Sequence, residues 1–311
     1  MKILVTGGAG FIGSHVVDGY IAAGYKVIIV DNLSTGKREN IHPAAKFYQI
    51  EIRSAQLEEI FQLENPDIVN HHAAQISVPF SVKNPQEDGD INALGFLNVL
   101  NCCRENKIKK VILISSGGAI YGEADEYPTS ENYAPRPLSP YAIHKLISEY
   151  YLAFYNHQYG LDYTVLRYSN VYGTRQIPHG EAGVVSIFIT NLREGIKSNL
   201  YAFPDEPDGM VRDYVFVKEV VKANILALNK GSLDYINIGT GLETTTGQLY
   251  SMISDLMNVN EKPVRAEARP GDIKRSCLNI EKAEKIWIGN LKYLCNKRSR
   301  KRSIFLLIAV N

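Results

Sequence analysis

The sequence predicts an α/β fold: a doubly wound parallel sheet with a smaller C-terminal domain. In the first half of the 311 residues, short β-branched and apolar runs alternate with longer stretches of helical spacing. Several of these runs are apolar throughout, which is typical of strands covered on both faces. A glycine cluster, Gly7–Gly13, directly follows the first run and opens a helical stretch. Together these observations favour a parallel sheet with helices on both sides.

Strands and helices alternate regularly through the first half of the chain. The predicted strands are Lys2–Thr6, Lys26–Val30, Lys46–Ile50, Asp67–His71, Lys110–Ile114 and Tyr163–Tyr168. The predicted helices are Ile12–Ala23, Gln56–Gln62, Ile91–Glu105 and Pro140–Tyr159. The last helix has a clear start signal, because Ser139 can cap it and proline suits its first turn.

The pattern loosens after Tyr168. Residues 171–183 and 203–213 are rich in glycine, proline and charge, and are predicted to be long loops, which often carry function. Helices recur at Gly183–Glu194, Lys218–Asn229 and Thr246–Met257, with short strands at Asp213–Val217 and Tyr235–Ile238. We expect a first domain of residues 1–170 and a second of residues 171–311, with segments near 211–238 returning to the first.

Composition excludes several classes of protein. The 34 Lys and Arg residues against 33 Asp and Glu give a net charge of +1, so there is no electrostatic reason to expect nucleic acid or a membrane as partner. The four cysteines have neither metal-ligand spacing nor the density of a disulfide scaffold. His71 and His72 point to opposite faces of a strand, so no metal site is expected. We expect a cytoplasmic protein.

The glycine cluster has the spacing G-x-x-G-x-x-G. Glycines allow a tight turn and close approach of the backbone to a pyrophosphate, and a helix N-terminus favours the anion. Asp31 ends the second strand, 18 residues after Gly13, where a carboxylate can bind a ribose 2′-hydroxyl and would repel a 2′-phosphate. These residues predict binding of NAD rather than NADP; the alternative is a structural turn.

Tyr141 and Lys145 are four residues apart at the start of a helix, so both side chains lie on one face. An ammonium beside a phenol favours the phenolate, which lowers the pKa of the tyrosine and makes it a better base. The alternative is a solvated surface pair. The functional interpretation gains from the preceding strand, which ends in Ser115 and Ser116 downstream of the dinucleotide motif.

These motifs resemble those of the extended short-chain dehydrogenases/reductases, and within that family the UDP-glucose 4-epimerases and related nucleotide-sugar epimerases. The resemblance runs from Met1 to about Ile286. It is carried by Gly7–Gly13, Asp31–Ser34, His72–Gln75, Asn92 with Gly95, Ser115–Gly122, Tyr141–Lys145, Arg167–Gly173, Val211–Tyr214 and Arg269–Asp272. It implies a Rossmann sheet with a substrate domain closing over a sugar nucleotide.

The resemblance also implies roles for matching positions. Tyr141, Lys145 and Ser116 would be catalytic. The cofactor would be NAD, bound by Gly7, Gly10, Phe11, Ile12, Gly13, Asp31, Asn32, Ser34, Thr35, Gly36, Ile52, Ala73, Ala74, Gln75, Asn92, Ser115, Tyr141, Lys145 and Tyr168. The UDP-sugar would be bound by Ser116, Tyr141, Asn170, Arg212, Arg269, Asp272 and Ser276.

Two positions depart from the family pattern. The family has a catalytic Ser or Thr where this chain has Gly117, so either Ser116 reaches the sugar O4 or Tyr141 moves the proton alone. Glu51 stands where the family usually has Asp, beside Ile52. The resemblance implies that Ser276, four residues after Asp272, lies beside the sugar C2 substituent, where a bulky tyrosine would restrict the pocket to simple hexoses; the alternative is a surface strand residue without a role in specificity. The small side chain of Ser276 predicts that UDP-N-acetylglucosamine is accepted as well.

The resemblance leaves alternatives to a 4-epimerase. A 4,6-dehydratase usually has Asp-Glu at Gly117–Gly118, so it is disfavoured. A UDP-glucuronate epimerase or decarboxylase remains open, as does a non-catalytic NAD-binding regulator. The family's dimer faces correspond to Ile91–Glu105 and Pro140–Tyr159, which predicts a homodimer.

The segment from Trp287 onward does not match the family. It contains a basic cluster, 297–302, followed by the apolar run Ile304–Val310. Reading the codons one base earlier permits a family-like segment, so one hypothesis is a single-base deletion near Ile286. The alternatives are an irregular tail or a membrane anchor, although the apolar run is too short to span a bilayer. Sequencing the coding DNA through this point tests the deletion.

Overall fold

The central element of the fold is a seven-stranded parallel sheet. The computed structural model describes residues 1–177, 183–287, 304–305 and 308. The strands are β1 (Lys2–Thr6), β2 (Lys26–Val30), β3 (Lys46–Tyr48), β4 (Ile68–His71), β5 (Lys110–Ser116), β6 (Asp162–Tyr168), β7 (Asn170–Tyr172), β8 (Asn199–Ala202), β9 (Val211–Phe216), β10 (Asp234–Ile238), β11 (Glu243–Thr245) and β12 (Val264–Glu267). The central sheet has the order β10-β6-β5-β4-β1-β2-β3.

Helices cover both faces of this sheet. They are α1 (Phe11–Ala22), α2 (Gln56–Glu64), α3 (Val78–Lys83), α4 (Pro85–Gly89), α5 (Gly95–Glu105), α6 (Gly117–Ile120), α7 (Pro140–Tyr159), α8 (Val184–Glu194), α9 (Val217–Ala227), α10 (Thr246–Met257) and α11 (Glu281–Ile286). A π-helical turn, Asp90–Leu94, joins α4 to α5. No helix in the described ranges is long and apolar enough to cross a membrane.

Alternation along the buried strands divides the core into two layers. Ile3 and Val5 of β1 pack in one cluster with side chains of α1 and α9. Leu4 packs on the opposite side, in a cluster that includes residues of α2, α5 and α7. This two-sided burial explains why the strands are apolar throughout. The prediction of a doubly wound parallel sheet is confirmed.

A smaller region lies beside the central sheet. It contains a three-stranded sheet of order β11-β9-β7 and the pair β12-β8. Phe188 of α8 and Leu249 of α10 are central to its own apolar cluster, which also contains Ile304. The strand β10 and the helix α9 belong instead to the first region, since β10 pairs with β6 and α9 packs on α1.

Several predicted boundaries differ from the structure. β3 ends at Tyr48 rather than Ile50, and β5 continues to Ser116. The helix predicted at Ile91–Glu105 begins as the π-helical turn and continues as α5 from Gly95. It is preceded by α3 and α4, which periodicity did not predict because Pro79 and Pro85 interrupt that segment. The loops predicted at 171–183 and 203–213 include β7 and the start of β9.

The strand order places one crevice at the centre of the sheet. β1 and β4 are neighbours in the sheet, although the chain leaves β1 toward β2 on the other side. In such folds ligands bind beyond the carboxyl ends of the strands, at the point where the strand order reverses. The segments that follow β1, β4 and β5 therefore line the expected site.

Candidate active site

The glycine turn after β1 is packed too tightly for any side chain. Gly7 has φ +69°, and a Cβ built on it would lie 2.6 Å from the Ala73 nitrogen. A Cβ on Gly13 would lie 2.2 Å from the Gly7 carbonyl oxygen. The first turn of α1 thus sits directly on the turn, and the segment after β4 lies against it. This close packing is the one that a dinucleotide-binding turn requires.

The N-terminus of α1 is suited to an anion. Gly10 is the N-cap and offers no side-chain cap, and the first turn contains no acidic residue. Backbone N–H groups and the helix dipole there favour a negatively charged ligand such as a pyrophosphate. Phe11 opens the helix and lies against Gly173, and Ile12 packs on the apolar core.

Asp31 ends β2 and is buried beside this turn. One carboxylate oxygen accepts a hydrogen bond from the Ala9 N–H at 2.9 Å, and the other accepts from the Leu33 N–H at 2.8 Å. Asp31 therefore holds the glycine turn in addition to any contact with a ribose. Gly36 lies against its carboxylate, because a Cβ there would be 2.8 Å from Oδ1.

The residues present fit an NAD molecule. The uncapped N-terminus of α1 offers backbone N–H groups to a pyrophosphate, and Asp31 supplies a carboxylate where an adenosine ribose would lie. Asn32, Ser34 and Thr35 are exposed around it. Ile52 is buried in the core next to Gly95, and Ala73 and Ala74 follow β4 at the same sheet edge.

Tyr141 and Lys145 lie together on α7, as predicted. Ser139 caps this helix by accepting from the Ala142 N–H, and Pro140 occupies its first turn. The Lys145 ammonium donates to the Ile114 carbonyl at 3.1 Å and lies 5.8 Å from the centre of the Tyr141 ring. Both side chains are therefore held beside the end of β5.

Burial acts on the Tyr141 phenol more strongly than its neighbours do, and the effect of Lys145 on the phenol stays a prediction. Burial is the largest influence and raises the pKa of Tyr141 to about 12; a hydrogen bond with Ser116 opposes it, and the charge of Asp88 adds to it. Burial likewise lowers the pKa of Lys145 to about 8, against the charges of Asp88 and Glu149. Desolvation acts on both groups because each charged form is excluded from water.

Three predicted substrate residues converge on one point. A Cβ built on Gly118 would lie 3.6 Å from Asn170 Oδ1, 3.8 Å from Ser276 Oγ and 4.0 Å from Ser116 Oγ. Ser116 also lowers the pKa of Tyr141 through a side-chain contact, so the space over Gly118 lies next to the phenol. The structure thus brings together the hydroxyl, amide and phenol groups that the sequence only placed in separate motifs.

Gly117, by contrast, faces away from this space. A Cβ there would lie 2.7 Å from Leu278 Cδ1 and 3.3 Å from the Arg167 carbonyl oxygen. A serine at 117 would therefore meet packed atoms on this backbone. The hydroxyl that the structure places beside Tyr141 belongs to Ser116.

The two predicted arginines have different surroundings. The Arg212 guanidinium donates to the carbonyls of Val211, Ile273 and Lys274, and burial lowers its pKa. These backbone carbonyls fix the position of the guanidinium, and the charges of Asp272 and Glu123 act on it from nearby.

Arg269 and Asp272 bind each other. The guanidinium makes a two-pronged ion pair with the Asp272 carboxylate, with Nε at 3.0 Å, and lies over the Tyr201 ring. The loop that carries them rests on α3, because a Cβ on Gly271 would lie 3.1 Å from Val78. To bind a diphosphate and a ribose, the two side chains would have to hydrogen-bond to the ligand as well as to each other.

Two predicted cofactor residues use their side chains elsewhere. The Ser115 hydroxyl donates to Glu149, which forms a buried ion pair with Arg167. The Tyr168 hydroxyl accepts from Asn224 within the core, and burial raises its pKa. The side chains of Ser115 and Tyr168 are therefore engaged within the protein, and their contact with the cofactor stays a prediction.

Gln75 and Asn92 lie where the cofactor was expected, but they bind each other. The Gln75 N–H donates to Asn92 Oδ1 at 2.9 Å, and Asn92 Nδ2 donates to the Gln75 carbonyl at 3.0 Å. Both side chains also reach Asp88, which pairs with His144. Sequence reasoning missed Asp88 and His144; the only signal was a histidine inside the Tyr-x-x-x-Lys motif.

Comparison with known proteins agrees with this geometry. Residues 3–239 match the model of the NAD dependent epimerase/dehydratase family. The chain belongs to that family. A putative UDP-glucose 4-epimerase from Methanocaldococcus jannaschii is 46% identical over 285 residues, covering 91% of this chain and 92% of the relative.

Solved structures of family members share the fold over nearly the whole chain. A UDP-glucose 4-epimerase from Thermotoga maritima, solved with UDP-glucose, has a TM-score of 0.93 and 45% identity, covering 99% of this chain and 98% of the other. A UDP-glucose 4-epimerase from Thermus thermophilus, solved with NAD, has a TM-score of 0.90 and 42% identity over the same shares. The chain is therefore similar in fold and sequence to enzymes of this family.

Proposed function

We propose that the protein is an NAD dependent isomerase that interconverts UDP-glucose and UDP-galactose by inverting C4. The observation that carries this proposal is the convergence of Ser116, Asn170 and Ser276 around Gly118, next to the Tyr141 phenol. The Tyr141 phenol, which can transfer a proton, thus lies next to these polar side chains at the edge of the sheet. Membership of the family and the similarity to UDP-glucose 4-epimerases support the same reaction.

The proposed mechanism begins with the Tyr141 phenolate. It accepts the proton of the sugar O4 while C4 is oxidised to a ketone and its hydrogen leaves with two electrons. NAD, when bound, supplies the reversible hydride acceptor and the positive charge of the oxidised nicotinamide ring. Ser116 donates a hydrogen bond that favours the phenolate, which opposes the effect of burial.

The second half reverses these proton movements on the other face of the sugar. The 4-keto sugar turns over in the pocket, C4 is reduced on its opposite face, and the Tyr141 phenol returns the proton to O4. Arg212 holds the diphosphate throughout, since its guanidinium is fixed by backbone carbonyls and suits phosphate oxygens. The reaction consumes no cofactor.

The substrate range is part of the proposal. Ser276 and Gly118 are small residues that adjoin the same point, and we propose that their size admits an N-acetyl group on the sugar. We therefore include UDP-N-acetylglucosamine among the substrates. Asp31 favours NAD over NADP, because a 2′-phosphate would meet its carboxylate.

The assembly we propose is a homodimer in the cytoplasm, with domains of residues 1–170 and 171–311. One face of α7 exposes Ile143, Tyr150 and Phe154, spaced seven and four residues apart. Leu94 is exposed just before α5, which packs beside α7. Helix faces of this kind are covered when two copies pair.

Sedimentation tests the proposed dimer. The wild type should sediment as a dimer, and Tyr150→Lys should shift the equilibrium toward monomer. A monomeric wild type contradicts the proposal.

One assay tests the function directly. Purified protein without added cofactor should convert UDP-galactose to UDP-glucose and release NAD on denaturation. A protein that releases NAD but converts no UDP-hexose would instead be a non-catalytic NAD-binding regulator. Turnover of UDP-glucuronate in preference to UDP-galactose would support a glucuronate epimerase or decarboxylase.

A further inference from the structure

A buried carboxylate that the proposed mechanism does not use lies beside the catalytic helix. Asp88 of α4 is fully buried and has three hydrogen-bonding partners. Its Oδ1 accepts from Gln75 Nε2 and, at 3.1 Å, from Asn92 Nδ2. Its Oδ2 lies 2.5 Å from His144 Nδ1. A carboxylate away from water is tolerated when donors surround it in this way.

The three partners come from three segments of the site. Gln75 lies in the segment after β4, with Ala73 and Ala74, at the expected cofactor edge. Asn92 lies in the π-helical turn, a type of irregularity that is frequent at functional sites. His144 lies on α7, one residue before Lys145 and within one turn of Tyr141. Asp88 is therefore the point at which the cofactor-facing segment meets the proton-transfer helix.

The charge of Asp88 also reaches the catalytic pair. It raises the pKa of both Tyr141 and Lys145, although burial is the larger influence on each. Glu149 is the second carboxylate that acts on Lys145. The Lys145 charge in turn lowers the pKa of His71 and His72. Asp88 and Glu149 are thus the negative groups that favour the ammonium.

We propose that Asp88, paired with His144, is a positioning residue that fixes the cofactor-facing segment relative to Tyr141 and Lys145. This inference rests on the proposed function, since it assigns a role within that reaction. The proton leaves the sugar O4 and the hydride leaves C4, which is bonded to it. The phenol and the cofactor must therefore keep a fixed relative position. A misplacement of about 1 Å at such a site can lower the rate about 100-fold.

The structure offers variants that separate the role of position from that of charge. Asp88→Asn keeps an oxygen to accept from Gln75 and Asn92 but removes the charge. Asp88→Ala removes both, and His144→Ala removes the link to α7. Glu87→Gln is a matched control, because it makes the same charge change one residue away on the exposed side of α4.

The readouts are kcat and KM for UDP-galactose, the pH profile of kcat, and the amount of NAD retained per purified chain. We expect Asp88→Ala and His144→Ala to lower kcat about 10- to 100-fold, with KM changed less than about threefold, because the diphosphate site is untouched. Asp88→Ala should also retain less NAD. Asp88→Asn should retain NAD, and its pH profile should move to lower pH because the pKa values of Tyr141 and Lys145 both fall. Glu87→Gln should match the wild type.

Contrary results are equally clear. Wild-type kcat and NAD content in both Asp88→Ala and His144→Ala would overturn the positioning role. So would an Asp88→Asn pH profile that stays in place while His144→Ala is fully active. If the wild type retains NAD but turns over no UDP-galactose, the proposed function fails, and NAD retention by Asp88→Ala against Glu87→Gln still decides the positioning role. If Asp88→Ala does not fold, Asp88→Asn and His144→Ala decide it.

Discussion

Burial governs the chemistry of the Tyr141 phenol. It raises the pKa to about 12, which would leave little phenolate at neutral pH, and the Ser116 hydroxyl is the neighbouring group of the chain that opposes this effect. Lys145 lies near the ring but donates to the Ile114 carbonyl. We therefore expect Ser116 to favour the phenolate.

Removing the phenol should abolish most of the activity. Tyr141→Phe keeps the ring and its packing but lacks the general base, so we expect kcat for UDP-galactose to fall about 10²- to 10⁴-fold. NAD should remain bound, which the NAD content of the denatured variant checks. The kcat of Ser116→Ala should also fall, because the phenolate loses the hydroxyl that donates to it. Near-wild-type turnover by Tyr141→Phe would refute its assignment as the base.

The paired glycines at 117 and 118 give a matched test of the sugar pocket. Gly118→Ala adds a methyl group at ordinary contact distances from Ser116, Asn170 and Ser276, so the protein should fold normally. We expect Gly118→Ala to lose activity on UDP-N-acetylglucosamine selectively, because the added atoms fill the space. Ser276→Tyr should lose more of this activity. The ratio of kcat/KM for the N-acetylated and simple substrates measures this.

The control for that test is Gly117→Ala. Its methyl group would meet Leu278 at 2.7 Å, so it should lower stability without changing the substrate ratio. A wild type active on UDP-glucose but inactive on the N-acetylated sugar would contradict the proposed width of the pocket. Equal losses on both substrates in Ser276→Tyr would contradict the position given to Ser276.

At the scale of elements, the contact between α1 and the turn after β1 is the most restrictive in the cofactor site. Gly13→Ala would place a methyl group 2.2 Å from the Gly7 carbonyl oxygen, so helix and turn must separate. We expect a loss of about 1–3 kcal/mol in the free energy of unfolding and a fall in retained NAD. Urea denaturation and NAD content of the purified variant measure the two effects.

Gly24→Ala is the matched control for that element. Gly24 has φ +84° with open space around it, so alanine there costs about 1–2 kcal/mol in backbone strain alone. It should retain NAD like the wild type despite a similar loss of stability. If Gly13→Ala also retained NAD fully, the turn would not be the pyrophosphate site.

The elements that could be predicted from sequence are those with strong local signals. α7 has its predicted bounds: Ser139 and Pro140 mark its start in the sequence, and the structure ends it at Gly160 with φ +70°. α3 and α4 were missed because they are short and held by tertiary contacts, such as the Tyr141 N–H donating to Ser81 Oγ. The motifs likewise indicated Tyr141 and Asp31, whereas the direction of Gly118 and the Asp88–His144 pair require the folded chain.

At the scale of the whole molecule, the buried His71 and the half-buried His72 should make stability depend on pH. Burial, followed by the charge of Lys145, lowers the pKa of His72 to about 3, and burial lowers that of His71 well below its usual value. The unfolded chain binds protons below about pH 6.5 and the folded chain does not, so the contribution to stability is complete above that pH. It is lost as pH falls toward the folded pKa.

The expected slope is about 1.4 kcal/mol per pH unit for each histidine below pH 6.5. Urea denaturation at pH 7.5, 6.0 and 5.5 measures it. His72→Leu should remove the contribution of one histidine from this slope. It should not lower stability at pH 7.5 through a lost hydrogen bond, because Nε2 of His72 has no partner among the described residues. An unchanged slope in this variant would contradict the lowered pKa of His72.

The hypothesis of a shifted reading frame concerns the end of the chain, most of which lies outside the described residues. Trp287 is described and is buried in the main core beside Ala283. Resequencing the coding DNA near Ile286 remains the test: an intact frame there would refute the deletion.

The central claim, that C4 is inverted through a ketone with a cofactor that stays bound, is tested most directly with UDP-galactose carrying deuterium at C4. The protein is incubated with this substrate in ordinary water, without added cofactor, and the product is analysed by mass spectrometry. The account predicts UDP-glucose that keeps its deuterium at C4, because the hydride leaves and returns within one bound complex. Product with hydrogen at C4, or no UDP-glucose at all, would contradict it.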